Sequence, residues 1–156
     1  FLDLQPIVVQ PAQSRLLRID IDVPEELGAD LFLNALAAHR SYGGNCIVVD
    51  FGTALTFTVV TEEGVIRGVS IVPGMNTAMK ALFSETSLLP EVILERPAAV
   101  IGKNTIHSIQ GGVYFGYESL IRGLIGRIKE EVGMPVKVIA TGGLSSVIMI
   151  RSQILR

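Results

Sequence analysis

Three short stretches carry residue types that could do chemistry. In "IVVDFGTALTFTVV", residues 47 to 60, an acid, Asp50, is followed by Phe51-Gly52-Thr53 between two β-rich runs. A tight turn between strands requires neither a carboxylate nor a hydroxyl. Gly52 would let the backbone approach a phosphate closely, and the turn N–H groups with the Thr53 hydroxyl could donate to phosphate oxygens. Asp50 cannot touch phosphate directly, because like charges repel, so it calls for a metal ion between them or a charged hydrogen-bond partner. The plainer alternative is that Asp50 and Thr53 hydrogen-bond the hairpin itself, as Asx-turn residues do. The bare motif does not choose. In "ATGGLSS", residues 140 to 146, Thr141-Gly142-Gly143 follow a strand and open a helix. Such a turn suits a base or ribose lying against the backbone, and is also a common strand-to-helix connection. Asp30 stands at the start of a helix, either as a favourable charge near the helix dipole, worth up to about 1 kcal/mol, or as a general base.

Other chemistries find no support. His39 and His107 are far apart, with no metal-ligand spacing to other residues. Ser108, Ser145 and Ser146 lack the G-x-S-x-G elbow of a hydrolase. "IGKNT", residues 101 to 105, is not a complete phosphate-binding G-x-x-x-x-G-K loop, which leaves Lys103 a solvated charge and Asn104-Thr105 a polar turn. Asp-Phe-Gly without a His-Arg-Asp loop, an Ala-Pro-Glu or an upstream strand lysine is not a protein kinase.

The elements that must hold these residues follow from pattern. "PIVVQPAQSRLLRIDIDV", residues 6 to 23, predicts two short strands with a turn near Pro11. A helix is expected from Ala29 to Ser41, stopped by Gly43-Gly44. Its apolar residues cover more than one face, so its second side is either packed inside or meets another chain. Cys46–Val49, Leu55–Val60 and "VIRGVSIVPG", residues 65 to 74, predict a three-strand antiparallel meander. Met75, Ala78, Met79 and Leu82 have helical spacing. The longest helix is expected over 107–131, with Val113, Tyr117, Leu120, Leu124 and Ile128 as its apolar stripe. Its Gly112, Gly116, Gly123 and Gly126 cost roughly 1 kcal/mol each against alanine, so close packing is expected to compensate. "PVKVIATGG" predicts a final strand, with a last helix near Leu144. The order gives an α/β fold with a mixed sheet and helices on its faces.

Bulk composition agrees. The 156 residues make one ordinary domain, 49% hydrophobic and 18% charged, with a net charge of −2. The basic residues are scattered, and nothing in them suggests an electrostatic nucleic-acid surface. No apolar run approaches the ~18 residues needed to span a bilayer and no signal-peptide pattern opens the chain, so no membrane association and a cytoplasmic location are expected. Cys46, the one cysteine, reads as a buried thiol. A start at Phe1 in a strand-like stretch suggests a segment of a longer protein.

Taken in order, "ELGAD", "NALAAH", "IVVDFGTALTF", "IVPG", "LFSETSLLP", "IGKNTIHSIQGG" and "ATGG" resemble the type III pantothenate kinase family, over about residues 24 to 145. The resemblance implies a ribonuclease-H-like, actin-like ATPase fold duplicated in two halves, of which this is the C-terminal portion. It implies ATP-dependent phosphorylation of pantothenate, the first step of coenzyme A synthesis, by a homodimer that needs potassium or ammonium, with Mg2+ possible alongside ATP. Carried over position by position, Asp30 is the catalytic base, and Gly28, Ala29, Asp30 and Leu31 form the substrate loop with Thr105. Asp50 holds the monovalent cation, while Gly52, Thr53, Thr141, Gly142 and Gly143 take ATP. The broad helix 29–41 is then expected to use its second surface in the dimer. The chain also departs from the pattern. Leu31 replaces an arginine that can pair with the substrate carboxylate; loss of a charged hydrogen bond of ~1.5–3 kcal/mol weakens affinity about 10–150-fold. Leu55 replaces a threonine and Gly111 a serine, and the family's N-terminal Asp-x-Gly-Asn-Thr phosphate loop is absent. These departures keep two alternatives in view: a non-catalytic regulatory homologue, or a kinase for a different small alcohol.

Overall fold

The computed structural model describes residues 5, 7–86 and 88–145. Its centre is one five-stranded mixed sheet in the order β1-β4-β3-β2-β5. The meander is formed by β2 (Asn45–Phe51), β3 (Ala54–Val60) and β4 (Val65–Pro73). Both pairings are antiparallel, with Asp50 opposite Thr56 and Thr56 opposite Ile71. Gly64, at φ 72°, makes the turn into β4 that the Glu62-Glu63-Gly64 triplet signals. On the far side of β2, β5 (Val136–Thr141) adds in parallel and brings Thr141 beside Asp50.

Helices cover both faces because β2 is apolar on both. Cys46 and Val48 join Phe32, Ala35 and Ala38 of α1 (Ala29–Tyr42) in one buried cluster. Ile47, Val49 and Phe51 join Tyr114, Ile121 and Ile125 of α3 (Thr105–Val132) in the other. Each large side chain buried this way stabilises the fold by roughly 1.5–3 kcal/mol. Between them in sequence, α2 (Met75–Ser84) packs Met75 onto the α3 side. Gly43, at φ 59°, ends α1, and Gly133 in the left-handed region ends α3.

Several expectations need correction. Of the stretch 6–23, the described residues do not give two strands: Pro11–Gln13 is a single 3-10 turn, and the one strand among them is the two-residue β1 (Arg18–Ile19), parallel to β4 at the sheet edge. Pro11 has no N–H for a ladder, which favours the turn. The buried row of α3 is Gln110, Tyr114, Ile121, Ile125 and Ile128. That is one residue on from most of the predicted stripe, or about 100° around the axis; Tyr117, Leu120 and Leu124 flank it, half-buried. Both rows are apolar, so spacing alone did not select between them. Nothing among the described residues comes within 4 Å of a side chain added at Gly112, Gly116, Gly123 or Gly126. Close packing therefore does not explain those glycines here. The predicted last helix lies, beyond Ser145, outside the described residues. No helix among the described residues is long and apolar enough to cross a membrane.

Candidate active site

The carboxyl end of β2 gathers several of the residues singled out from the sequence. Alternation along the strand sends Cys46, Val48 and Asp50 toward α1. The first two are buried under the helix; Asp50 is half-buried near its beginning. A short glycine connection from α1 to β2 turns the chain back, so the start of the helix overlies the end of the strand. There Asn34 Nδ2 donates to Asp50 Oδ2 at 2.7 Å. The carboxylate thus takes its partner from another element and not from the hairpin, unlike an Asx turn.

Two glycine turns flank this carboxylate. Gly142 sits at φ 90°, and a Cβ there would lie 2.5 Å from Asp50 Oδ1 and 2.6 Å from the Phe51 nitrogen. Only glycine fits both the dihedral and the space. On the other side, Asp50 Oδ1 is 3.9 Å from where a Cβ on Gly52 would stand. Oδ1 therefore occupies a notch between the two turns. The Gly52-Thr53 turn is pinned from behind: the Thr53 carbonyl accepts from the Gly74 N–H at 2.9 Å and from Thr77 Oγ1 at 2.7 Å. Tyr117 of α3 donates its hydroxyl to the Pro73 carbonyl at 2.8 Å. Burial pushes its phenol above the ordinary value, so it remains a donor at neutral pH. With its backbone held, Thr53 stays exposed.

Asp30 is exposed in the first turn of α1, and its Oδ1 accepts from the Leu31 N–H at 2.9 Å. That is the geometry of a helix-start carboxylate. Gly28 is the N-cap and Ala29 the first helical residue. Leu31 is half-buried and packs against the α1-side core. Asp30 and Asn34 are four residues apart, hence on one face of the helix, which puts Asp30 one turn from the Asp50 clamp. Thr105 is not brought to this cluster by a described contact. It opens α3 beside the N-cap Asn104, whose side chain accepts from the His107 N–H at 2.8 Å. Twelve residues, or ~18 Å of helix, separate it from Tyr117. Gly111, where the family pattern has serine, is closed to any side chain by the Val100 carbonyl.

The sequence reading missed Asn34, Thr56, Thr77 and Tyr117. Asn34 had a signal, its four-residue spacing from Asp30. Thr56 had none. It is 8% exposed, lies directly across the ladder from Asp50, and its hydroxyl has no hydrogen-bond partner among the described residues. Among the described residues no three His, Cys, Asp or Glu side chains gather to hold a metal ion. The Asp50 carboxylate, with the Thr56 side chain across the ladder, supplies oxygen donors of the type a hard cation takes.

A mixed sheet covered on both faces, with a clamped carboxylate and two glycine turns at one strand end, defines an α/β domain with its chemistry-bearing residues at the carboxyl end of β2. Comparison with known proteins is specific. A family model described as type III pantothenate kinase matches residues 1–127. The chain belongs to the type III pantothenate kinase family, whose actin-like ATPase fold its mixed sheet matches. Curated relatives of that description include one from Koribacter versatilis, 45% identical over 95% of this chain and 54% of its own length. One from Rhodospirillum rubrum is 50% identical over 90% of this chain and 55% of its own. A third, from Myxococcus xanthus, is 42% identical over 98% and 60%. The chain spans about half the length of the curated relatives it matches.

Proposed function

We propose that the protein phosphorylates pantothenate from ATP to give 4'-phosphopantothenate, in the first step of coenzyme A synthesis. The observation that carries this reading is the Asp50 carboxylate, clamped by Asn34 with Oδ1 in the notch between Gly52 and Gly142. In this reading Gly52, Thr53 and the Thr141-Gly142-Gly143 turn receive ATP, through backbone N–H groups and the Thr53 hydroxyl. Gly28, Ala29, Leu31 and Thr105 line the pantothenate side. Asp50 holds potassium or ammonium, whose charge offsets that of the phosphate, and Mg2+ accompanies ATP. Asp30 accepts the proton of the pantothenate primary hydroxyl as that oxygen bonds to the γ-phosphorus. The bond from that phosphorus to the β-phosphate oxygen breaks and ADP departs. Holding hydroxyl, base and phosphate in line supplies most of the acceleration.

Three further features belong to the same proposal: a cytoplasmic location, a single domain that works as the C-terminal portion of a two-half kinase, and a homodimer. In the dimer α1 contributes Leu33, 45% exposed, with Ala37 on its outer face; a mass measurement in solution tests it. The deciding experiment is pantothenate-dependent ADP release by the full-length gene product, in potassium and in sodium buffer. Turnover should require potassium, and Asp30→Asn should lower kcat by roughly 10²–10⁴-fold. Absence of turnover from folded, ATP-binding protein overturns the reading.

Leu31 favours a second reading, a less acidic alcohol acceptor or a non-catalytic homologue, since a leucine offers a substrate carboxylate no hydrogen-bond partner. Leu31→Arg separates the two: if pantothenate is the substrate, its KM should fall about 10–150-fold, the converse of losing a charged hydrogen bond. An unchanged KM would favour another acceptor.

A further inference from the structure

Asp50 has a second oxygen-rich neighbour besides the notch. Thr56 lies opposite it in the β2–β3 ladder, where paired Cβ atoms stand roughly 4.5–5.5 Å apart, and its buried hydroxyl has no partner among the described residues. A carboxylate free to turn would find that hydroxyl, because a buried unpaired donor is unfavourable. The structure instead gives Asp50 the Asn34 amide, which holds Oδ2 at 2.7 Å. Only the NH2 end of the amide can face the carboxylate, since its carbonyl oxygen would be repelled. The held oxygen leaves Oδ1 in the notch between Gly52 and Gly142. Asn34 also sits one helical turn after Asp30, on the same face of α1. One rigid helix thereby carries both the exposed carboxylate and the clamp on the half-buried one.

We propose that Asn34 is a positioning residue: it locks Asp50 in the orientation that offers Oδ1 to a monovalent cation, and it ties that carboxylate to the helix turn bearing Asp30. This inference rests on the cation reading of Asp50. Asn34 contacts neither substrate nor phosphate in the reading above. Its effect is on how well a ligand carboxylate is prearranged, and neighbours that orient ligands commonly change metal affinity about 10–100-fold.

The test uses the full-length protein and reads its melting temperature against potassium concentration, with choline chloride holding ionic strength constant. Potassium should raise the melting temperature of the unsubstituted protein saturably, as any ligand of the native state does. Asn34→Leu keeps the bulk and removes the donor; it should shift the half-saturating potassium concentration upward by about tenfold or more. Asn34→Ser, smaller but still a donor, should fall between the two and covers the case in which leucine prevents folding. The half-saturating potassium concentration for ADP release should move in the same order. A merely structural asparagine would lower the melting temperature equally at every potassium concentration and leave the half-saturation point in place; that result overturns the positioning role. No potassium response in the unsubstituted protein overturns the cation reading beneath it instead.

Discussion

The two ends of β2 face the same helix and have opposite characters. At one end Cys46 is fully buried, and desolvation pushes its thiol above the ordinary value of 9.0 although the Lys137 ammonium pulls the other way. The connection there is closed off by Lys137, which donates to the Tyr42 and Gly43 carbonyls. At the other end, four residues on, Asp50 keeps a half-buried charge, a side-chain clamp from Asn34 and a glycine on each flank. Position relative to the helix makes the difference. Under the body of α1 a polar group would have to be desolvated, whereas at its start the sheet emerges and a carboxylate can be met by donors and solvent. Reactive groups thus collect where the apolar cover stops, and the covered thiol stays inert.

Adding a side chain at the notch should break the contrast most severely. Gly142→Ala forces a Cβ into Asp50 Oδ1 and the Phe51 backbone at φ 90°, and backbone strain of this type costs ~1–3 kcal/mol. Calorimetry should show a lower melting temperature, and titration calorimetry a loss of ATP binding. Retained binding would mean that the turn moves freely and the notch is not a fixed feature. A helix glycine makes the opposite control. Gly116→Ala meets nothing within 4 Å and should stabilise the protein by roughly 0.5–1 kcal/mol. A loss of stability in denaturant titration would show that another surface covers α3 in the intact protein.

The smallest effect should come from the buried end. A thiol whose pKa is raised by folding favours the native state while protonated. Its contribution is complete below the unfolded-state value and is lost as pH rises through the folded-state value, above 9.0. Stability should therefore decline with pH in that alkaline range, and Cys46→Ala should flatten this component of the slope. An unchanged slope would assign the decline to other groups, Tyr117 among them.

Much of the architecture was legible because the signals were local. The meander showed in β-branched runs punctuated by the Glu62-Glu63-Gly64 turn, and α1 in its periodicity and terminal glycines. The N-terminal stretch misled because alternating apolar residues in 6–23 look like strands whether or not a partner strand is available. On α3 two adjacent apolar rows competed, and only the packing of Tyr114 and Ile121 against β2 decided between them. At the site, Asp50, Gly52 and Gly142 announced themselves as an odd carboxylate and two turns. Their adjacency could not be read, because it depends on β5 returning beside β2. Asn34 stayed hidden among ordinary helix residues, and Thr56 among ordinary strand residues, since an unpaired hydroxyl exists only in three dimensions.

That return of β5 has a further consequence. Residues 45–73 fold onto their immediate neighbours, but Asp50 and Thr141 meet across 91 positions of chain. Closing so long a loop is entropically unfavourable and comes slowly. One wall of the notch is present as soon as the hairpin forms; the other arrives only when the last described strand docks. A nascent or partly assembled chain therefore displays the Asp50 hairpin without its second glycine turn, and on the reading proposed above the appearance of ATP affinity would serve as a clock for the completion of folding.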